Sequence, residues 1–354
     1  MLPYISIIFL LLAFSVFDKT KFENIAFIFF SFALVIFSGF RVGGTGPGDY
    51  DAYIRLYYQV SDWYAVVDPK IHAEIGFRLM SYLGNLMNFE GHFIILTMAL
   101  LSSVPIIIIV KNYSCYPILS LIVWIPYFLT MNMHSSRIAV AAAFCLCFFI
   151  STYYRRFIFS VFFSVVAIAF HTSSLVIILL FLVRFKIKTL FFLFMISFVV
   201  GGLFSPFSIL THILSIIGLE RASWFVESYK SSSDYGYPMA VYDPRILLNI
   251  GVSLLIFNIR KSVSNPFHEY IFKLTFIGTI IMLLFSSVTI MAWRVSYLFL
   301  LSTVISIPIL CQYYNYRLFY FLNAKRIASI IFGVVFLIYA LPIVFTSLPY
   351  QFYF

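Results

Sequence analysis

The chain has 354 residues, of which 63 % are hydrophobic and 10 % charged, and its mean hydropathy is +1.02. Soluble domains carry roughly 45–50 % apolar and about 25 % charged residues, so water is excluded as the solvent for most of this surface. The formal net charge of +10 does not point to a nucleic-acid partner, because the basic residues follow the positions of membrane helices instead.

Long continuous apolar runs predict helices, since a spanning helix satisfies its own backbone while a barrel strand alternates in polarity. Such runs fall near 2–17, 24–40, 92–110, 115–131, 137–152, 157–170, 172–184, 188–204, 244–259, 268–290, 293–311 and 326–346. Several fall short of the ~20 residues of a full span. The first lacks a basic leader and a small-residue cleavage site, and reads as a retained helix. After the second run comes a long loop, 41–72, and then an amphipathic segment, 73–89, carrying Glu74, Arg78 and Asn85. That segment spans, re-enters or lies on the interface. A second long loop covers 205–243. The expected fold is an all-α polytopic integral membrane protein. It is a single transmembrane domain over 1–354, with about 12 transmembrane helices plus one amphipathic or re-entrant helix.

Orientation follows from the positive-inside rule. If the twelve runs cross and 73–89 does not, 14 of the 23 Lys and Arg face the cytoplasm, among them Arg155, Arg156, Arg260 and Lys261. Ten of the 13 Asp and Glu then face outside, with both long loops. If 73–89 crosses, the pairs 155/156 and 260/261 move outside and the bias is lost. The short inner loops leave no room for a cytoplasmic nucleotide-binding domain.

Residues with chemical potential concentrate on the outer side. Its arginines, Arg41, Arg137, Arg245 and Arg294 among them, suit two-pronged recognition of phosphate or snorkelling to lipid phosphate. The first loop reads Arg41-Val-Gly-Gly-Thr-Gly-Pro-Gly-Asp49-Tyr50-Asp51-Ala-Tyr53. Its glycines allow an anion-binding nest, but it matches neither a Walker loop nor a dinucleotide turn. Asp49 and Asp51 are sugar ligands, a base or loop caps. Glu74 and Arg78 are four residues apart, so a local ion pair competes with a role for Glu74 in the outer cavity.

Arg137 follows Asn132-Met-His134-Ser-Ser and opens an apolar helix. A cation is unfavourable at a helix N-terminus, and a bound anion would hold it there. His171 breaks the apolar stretch 157–183 within Phe-His-Thr-Ser-Ser, which predicts two short helices meeting at a polar floor. A helix-capping Ser/Thr cluster explains it equally well. Tyr50, Tyr53, Trp63, Tyr64 and the other loop aromatics suit an interface belt or stacking on sugar rings. The 6 His are scattered and the 4 Cys lie in or beside apolar runs, so neither suggests a metal site.

Taken together, these segments resemble the EpsG family and the wider Wzy-type O-antigen and capsule polymerases. The resemblance rests on Ser38-Gly39-Phe40-Arg41, Gly48-Asp49-Tyr50-Asp51-Ala52-Tyr53, Glu74-Ile-Gly76-Phe77, Met131-Asn132-Met-His134-Ser-Ser-Arg137, Ala169-Phe170-His171-Thr172-Ser173-Ser174 and Arg294-Val-Ser-Tyr297. The glycine run at 43–48 departs from the family pattern. The resemblance implies a glycosyltransferase-C-like architecture in the bacterial cytoplasmic membrane, with the active site facing the periplasm or outside. It implies a metal-independent, inverting glycosyltransferase without cofactor, joining oligosaccharide units carried on undecaprenyl pyrophosphate. Expected partners are the lipid-linked donor and acceptor, a flippase and a chain-length regulator, and no nucleic acid.

On this reading Arg41, Arg137, Arg245 and Arg294 bind pyrophosphate. His171, Asp49, Glu74 and Arg137 are the catalytic candidates. Asp51, Tyr50, Tyr53 and His134 face the sugar. Two rivals are a lipid-linked oligosaccharide flippase and a membrane acyltransferase acting on the polysaccharide. A flippase wants polar residues through both halves of the membrane. An acyltransferase wants a His beside a cytoplasmic acyl-CoA tunnel.

Overall fold

The computed structural model describes residues 2–14, 18–44, 49–203, scattered positions within 211–231, 236–318 and 327–354. Most of the long loop 205–243 and the glycines at 46 and 48 lie outside the described residues. The chain forms two compact units, one of residues 1–175 with 303–354 and the other of residues 176–302.

The first unit begins with α1 (Leu2–Phe14), α2 (Glu23–Gly39) and a two-residue strand, β1 (Arg41–Val42). The loop region follows as α3 (Asp49–Gln59), α4 (Trp63–Val67) and α5 (Ile75–Leu86). Then come α6 (His92–Tyr113), α7 (Pro117–Tyr127) running into a π-helical turn (Phe128–Asn132), α8 (Ser136–Tyr153) and α9 (Phe157–Phe170). A 3₁₀ helix covers Thr172–Arg184 and leads into the second unit. The second unit holds α10 (Ile187–Leu203), α11 (Pro244–Ile259), α12 (Pro266–Leu284) and α13 (Thr289–Leu300). α14 (Thr303–Leu318), α15 (Ile327–Thr346) and β2 (Gln351–Phe352) return to the first.

Helix faces follow residue type. On α2, Ile25, Ile28, Phe29 and Phe32 form an exposed apolar stripe at helical spacing, while Phe27, Phe30 and Leu34 are buried. An exposed stripe that apolar needs lipid rather than water against it. Every residue of α7 is buried, which makes it the central helix of its unit. Its N-terminus opens on Pro117, and buried Asp18 accepts hydrogen bonds from the Ile118 and Leu119 amides at 2.9 and 3.0 Å. The small side chains Ala139, Ala141, Ala142 and Ala143 keep α8 thin and fully buried there, which lets α6 and α9 pack closely on it.

Among the described residues four helices are long and apolar enough to cross a membrane: 92–113, 136–153, 266–284 and 328–346. A fifth is reached if one bent pair of successive helices counts as a single span. Seven further apolar helices have 10–17 residues. The protein is thus an all-α membrane protein in which many apolar runs fold as short helices. The reasons are local: Pro126 precedes the π-helical turn, His171 separates α9 from the 3₁₀ helix, and a turn at 285–288 separates α12 from α13. α5 has 12 residues, which makes it about 18 Å long against a hydrocarbon core of ~30 Å.

The chain end straps the first loop. β2 pairs antiparallel with β1, setting Phe352 opposite Arg41. The Tyr353 amide donates to the Phe40 carbonyl at 2.9 Å and its ring stacks on His92 at 3.8 Å.

Candidate functional site

The first unit holds nine of the eleven candidate residues singled out from sequence, all but Arg245 and Arg294. The junction of α5 and α9 comes first. Gly76 is the second residue of α5, and a Cβ there would come within 2.8 Å of the Ala169 carbonyl oxygen. Only glycine lets α5 sit this close to the end of α9. That approach carries Glu74, the N-cap residue of α5, to His171, the C-cap residue of α9.

The Glu74 carboxylate stands between two side chains. One oxygen forms an ion pair with Arg137 Nη1, and the other lies 4.0 Å from His171 Nε2. The three side chains are 24 % (Arg137), 17 % (Glu74) and 16 % (His171) exposed, so the cluster is set in but reachable. His171 Nδ1 accepts from the Ser173 amide at 3.2 Å. A ring nitrogen that accepts from an N–H carries no proton, which assigns the ring proton to Nε2, the side facing Glu74. Arg78 does not take Glu74: it donates instead to the Asp68 carbonyl. The local i,i+4 pair is therefore replaced by one that spans 63 residues.

Arg137 also stands over aromatic rings, 5.6 Å from the Tyr53 centroid and 5.9 Å from Phe77. Tyr53 is buried, and burial raises its pKa, with Arg137 pulling the other way. Its ring thus backs the guanidinium rather than facing a ligand. Asp49 opens α3 and accepts from the Ser135 hydroxyl at 3.3 Å. Its charge acts on both Arg41 and Arg137.

Arg41 is only 1 % exposed. It donates to the Gly43 carbonyl, to the Asn132 carbonyl at 3.3 Å and to the Ser136 hydroxyl at 3.0 Å, while its Nε has no partner. No carboxylate pairs with it among the described residues, and burial draws its pKa down. A buried, unpaired cation costs several kcal/mol. Arg41 ties the first loop to the π-helical turn and to the start of α8, one residue before Arg137. It sets a positive potential there without reaching the surface.

Asn132 completes this tie: its side chain donates to Ser102 at 2.7 Å. Tyr50 is held by His92, whose Nδ1 lies 3.2 Å from the hydroxyl and whose Nε2 lies 2.8 Å from the Gly39 carbonyl. A carbonyl only accepts, so Nε2 carries the proton and Tyr50 donates to Nδ1. His92 was not singled out from sequence. Its position at the start of an apolar helix was the available signal. Asp51 is exposed on α3, and His134 is half-buried in the turn before α8.

The second unit treats its arginines differently. Asp243 caps α11 through the Arg245 amide, and the same carboxylate takes the Arg245 guanidinium in two prongs at 2.9 and 2.7 Å. Arg294 lies half-buried in α13. Next to that helix the Thr289 amide and hydroxyl both donate to the Tyr237 carbonyl, at 3.0 and 2.7 Å. No group of three or more His, Cys, Asp and Glu able to hold a metal ion is found among the described residues.

A family model described as the EpsG family matches residues 24–353. The chain belongs to the EpsG family. Its match includes every residue of the Arg41, Asp49, Glu74, Arg137 and His171 arrangement. Membership of the EpsG family makes this a membrane protein of polysaccharide biosynthesis. Comparisons with curated proteins and with solved structures give no match.

Proposed function

We propose that this EpsG-family chain is a polysaccharide polymerase. It transfers a growing glycan from a polyprenyl-pyrophosphate carrier onto a hydroxyl of a second lipid-linked unit, on the outer face of the bacterial cytoplasmic membrane. The observation that carries the reading is the Glu74 carboxylate, paired with Arg137 and 4.0 Å from the proton-bearing nitrogen of His171. Twelve membrane crossings and an outward-facing site belong to the same proposal, supported by the distribution of basic residues.

The arrangement suggests how binding and chemistry are coupled. The donor brings a pyrophosphate, a stronger partner for a guanidinium fork than a single carboxylate. Arg137 turns to the phosphate, backed by the field of buried Arg41, and Glu74 is released. The freed carboxylate takes the proton of the acceptor hydroxyl while the oxygen attacks the anomeric carbon. The carbon–oxygen bond to phosphate breaks, and the pyrophosphate leaves with the electron pair, its charge held by Arg137. His171 Nε2–H orients the carboxylate. Attack opposite the leaving group inverts the anomeric centre.

The test is the surface polysaccharide of a deletion strain complemented with wild type, Arg137→Ala, Glu74→Gln or His171→Ala, with membrane levels of each variant measured in parallel. A long-chain ladder with wild type, and single units with Arg137→Ala and Glu74→Gln, is the expected result. Long chains in the deletion strain, or with both of those variants at normal levels, would sink the proposal.

A further inference from the structure

The cavity beside α4 is separate from the arginine cluster and has the opposite chemistry. It has a volume of about 520 Å³ and is lined by Gln59, Asp62, Tyr64, Ala65, Asp68 and Ile71. It is a broadly open depression on the surface, not an enclosed pocket. Its walls hold two carboxylates, an amide and a tyrosine. Tyr64 is 82 % exposed and Trp63, beside it, 55 %.

The walls are built, not loose. Asp62 caps α4 by accepting from the Ala65 amide at 2.8 Å, and Asp68 accepts from the Lys70 amide at 2.8 Å. Each bond uses the Oδ1 atom of its carboxylate. Arg78 reaches from α5 to the Asp68 carbonyl, and Asn85 holds the Tyr57 and Val60 carbonyls at 2.9 and 3.0 Å. Val66 is the buried residue of α4, and Trp63 packs edge-on against Tyr82. The exposed rings therefore stand on a fixed base.

This chemistry selects a ligand class. Two carboxylates repel phosphate, so the cavity is no second seat for the pyrophosphate. A membrane-interface belt accounts for exposed aromatics, but not for two carboxylates and an amide gathered around one depression. Carboxylate and amide oxygens accept hydrogen bonds from hydroxyls, and a ring face offers an apolar surface to the C–H side of a sugar. We infer that this cavity is a glycan subsite, taking a neutral stretch of oligosaccharide that extends away from the transfer site. Ile71 on its wall is three residues from Glu74, a chain reach of at most about 11 Å.

The inference rests on the polymerase reading for its biological sense, but it is measured separately. The full-length chain in lipid nanodiscs is titrated with neutral oligosaccharide, released by mild acid from the polysaccharide of the source strain. Binding is read by saturation-transfer NMR. The comparison uses wild type, Tyr64→Ala and the double variant Asp62→Asn/Asp68→Asn, which keeps both backbone caps. Wild type binds, and each variant binds about tenfold more weakly, the scale of one lost stacking or polar contact set. Absent binding by wild type, or equal binding by all three proteins, overturns the subsite. Failure of the polymerase reading shows elsewhere, as a ladder indifferent to Arg137 and Glu74.

Discussion

Arg137 and Arg245 stand at the same place in their helices, within the first turn of an apolar segment, yet they are held in opposite ways. Arg245 takes both oxygens of Asp243, two residues back, and that carboxylate also caps the same helix. Such a pair needs nothing beyond the start of α11 in order to form. The partner of Arg137 comes from 63 residues away and arrives only when α5, α8 and α9 are packed. Closing such a loop has an entropic cost that a helix cap does not incur. The first pair is a local device of helix formation. The second is a product of the fold, left partly open, with a histidine 4.0 Å from the same carboxylate.

Substitutions can break this contrast, and the largest effect is expected at Arg137. Arg137→Ala should lower polymer formation by about 10²–10³-fold, the scale of losing one preorganised group at a developing charge. The measurement is incorporation of radiolabelled sugar into long chains by isolated membranes. A value within threefold of wild type would remove Arg137 from the chemistry. Glu74→Gln keeps the shape but not the charge. It should reduce incorporation by about 10²-fold, the contribution of one positioned base. Its melting temperature in detergent should stay close to that of Arg137→Ala, since either change breaks the same pair.

Gly76→Ala acts one step removed. Its methyl group would press on the Ala169 carbonyl oxygen at 2.8 Å and push α5 off α9. A loss of about 1–3 kcal/mol in unfolding free energy is expected, with weakened activity at normal expression. A stable, fully active Gly76→Ala would show that Glu74 and His171 need not approach. Arg245→Ala should be mildest, at about 1 kcal/mol or less, because a half-exposed local pair carries little. If it abolishes polymer formation as completely as Arg137→Ala, the contrast between the two arginines collapses.

Much of the fold was legible from composition. Apolar runs marked the helices, and the break at His171 marked the junction of α9 with the 3₁₀ helix. The number of full spans was less legible, because hydropathy does not register where a proline, a π-helical turn or a capping residue ends a helix inside an apolar run. At the site, Arg41, Asp49, Glu74, Arg137 and His171 were visible as polar residues at the ends of apolar segments. Their partners were not. Sequence spacing favoured Arg78 for Glu74, and the fold chose Arg137 because Gly76 brings α5 against α9 while Arg78 is drawn to the Asp68 carbonyl. Arg41 read as a ligand-facing arginine and proved to be buried, since the Gly43 and Asn132 carbonyls and the Ser136 hydroxyl enclose it.

The sequence by itself determined the solvent, the positions of the apolar helices and the family. Each is written in composition, periodicity and motif order, and each survives without knowing which segments touch. Only the tertiary structure decided which carboxylate meets which arginine, which nitrogen of His171 holds the proton, and which arginine is sealed inside. Those are questions of distance between segments remote along the chain. In a medium of low dielectric, a few ångströms separate a paired charge from an unpaired one.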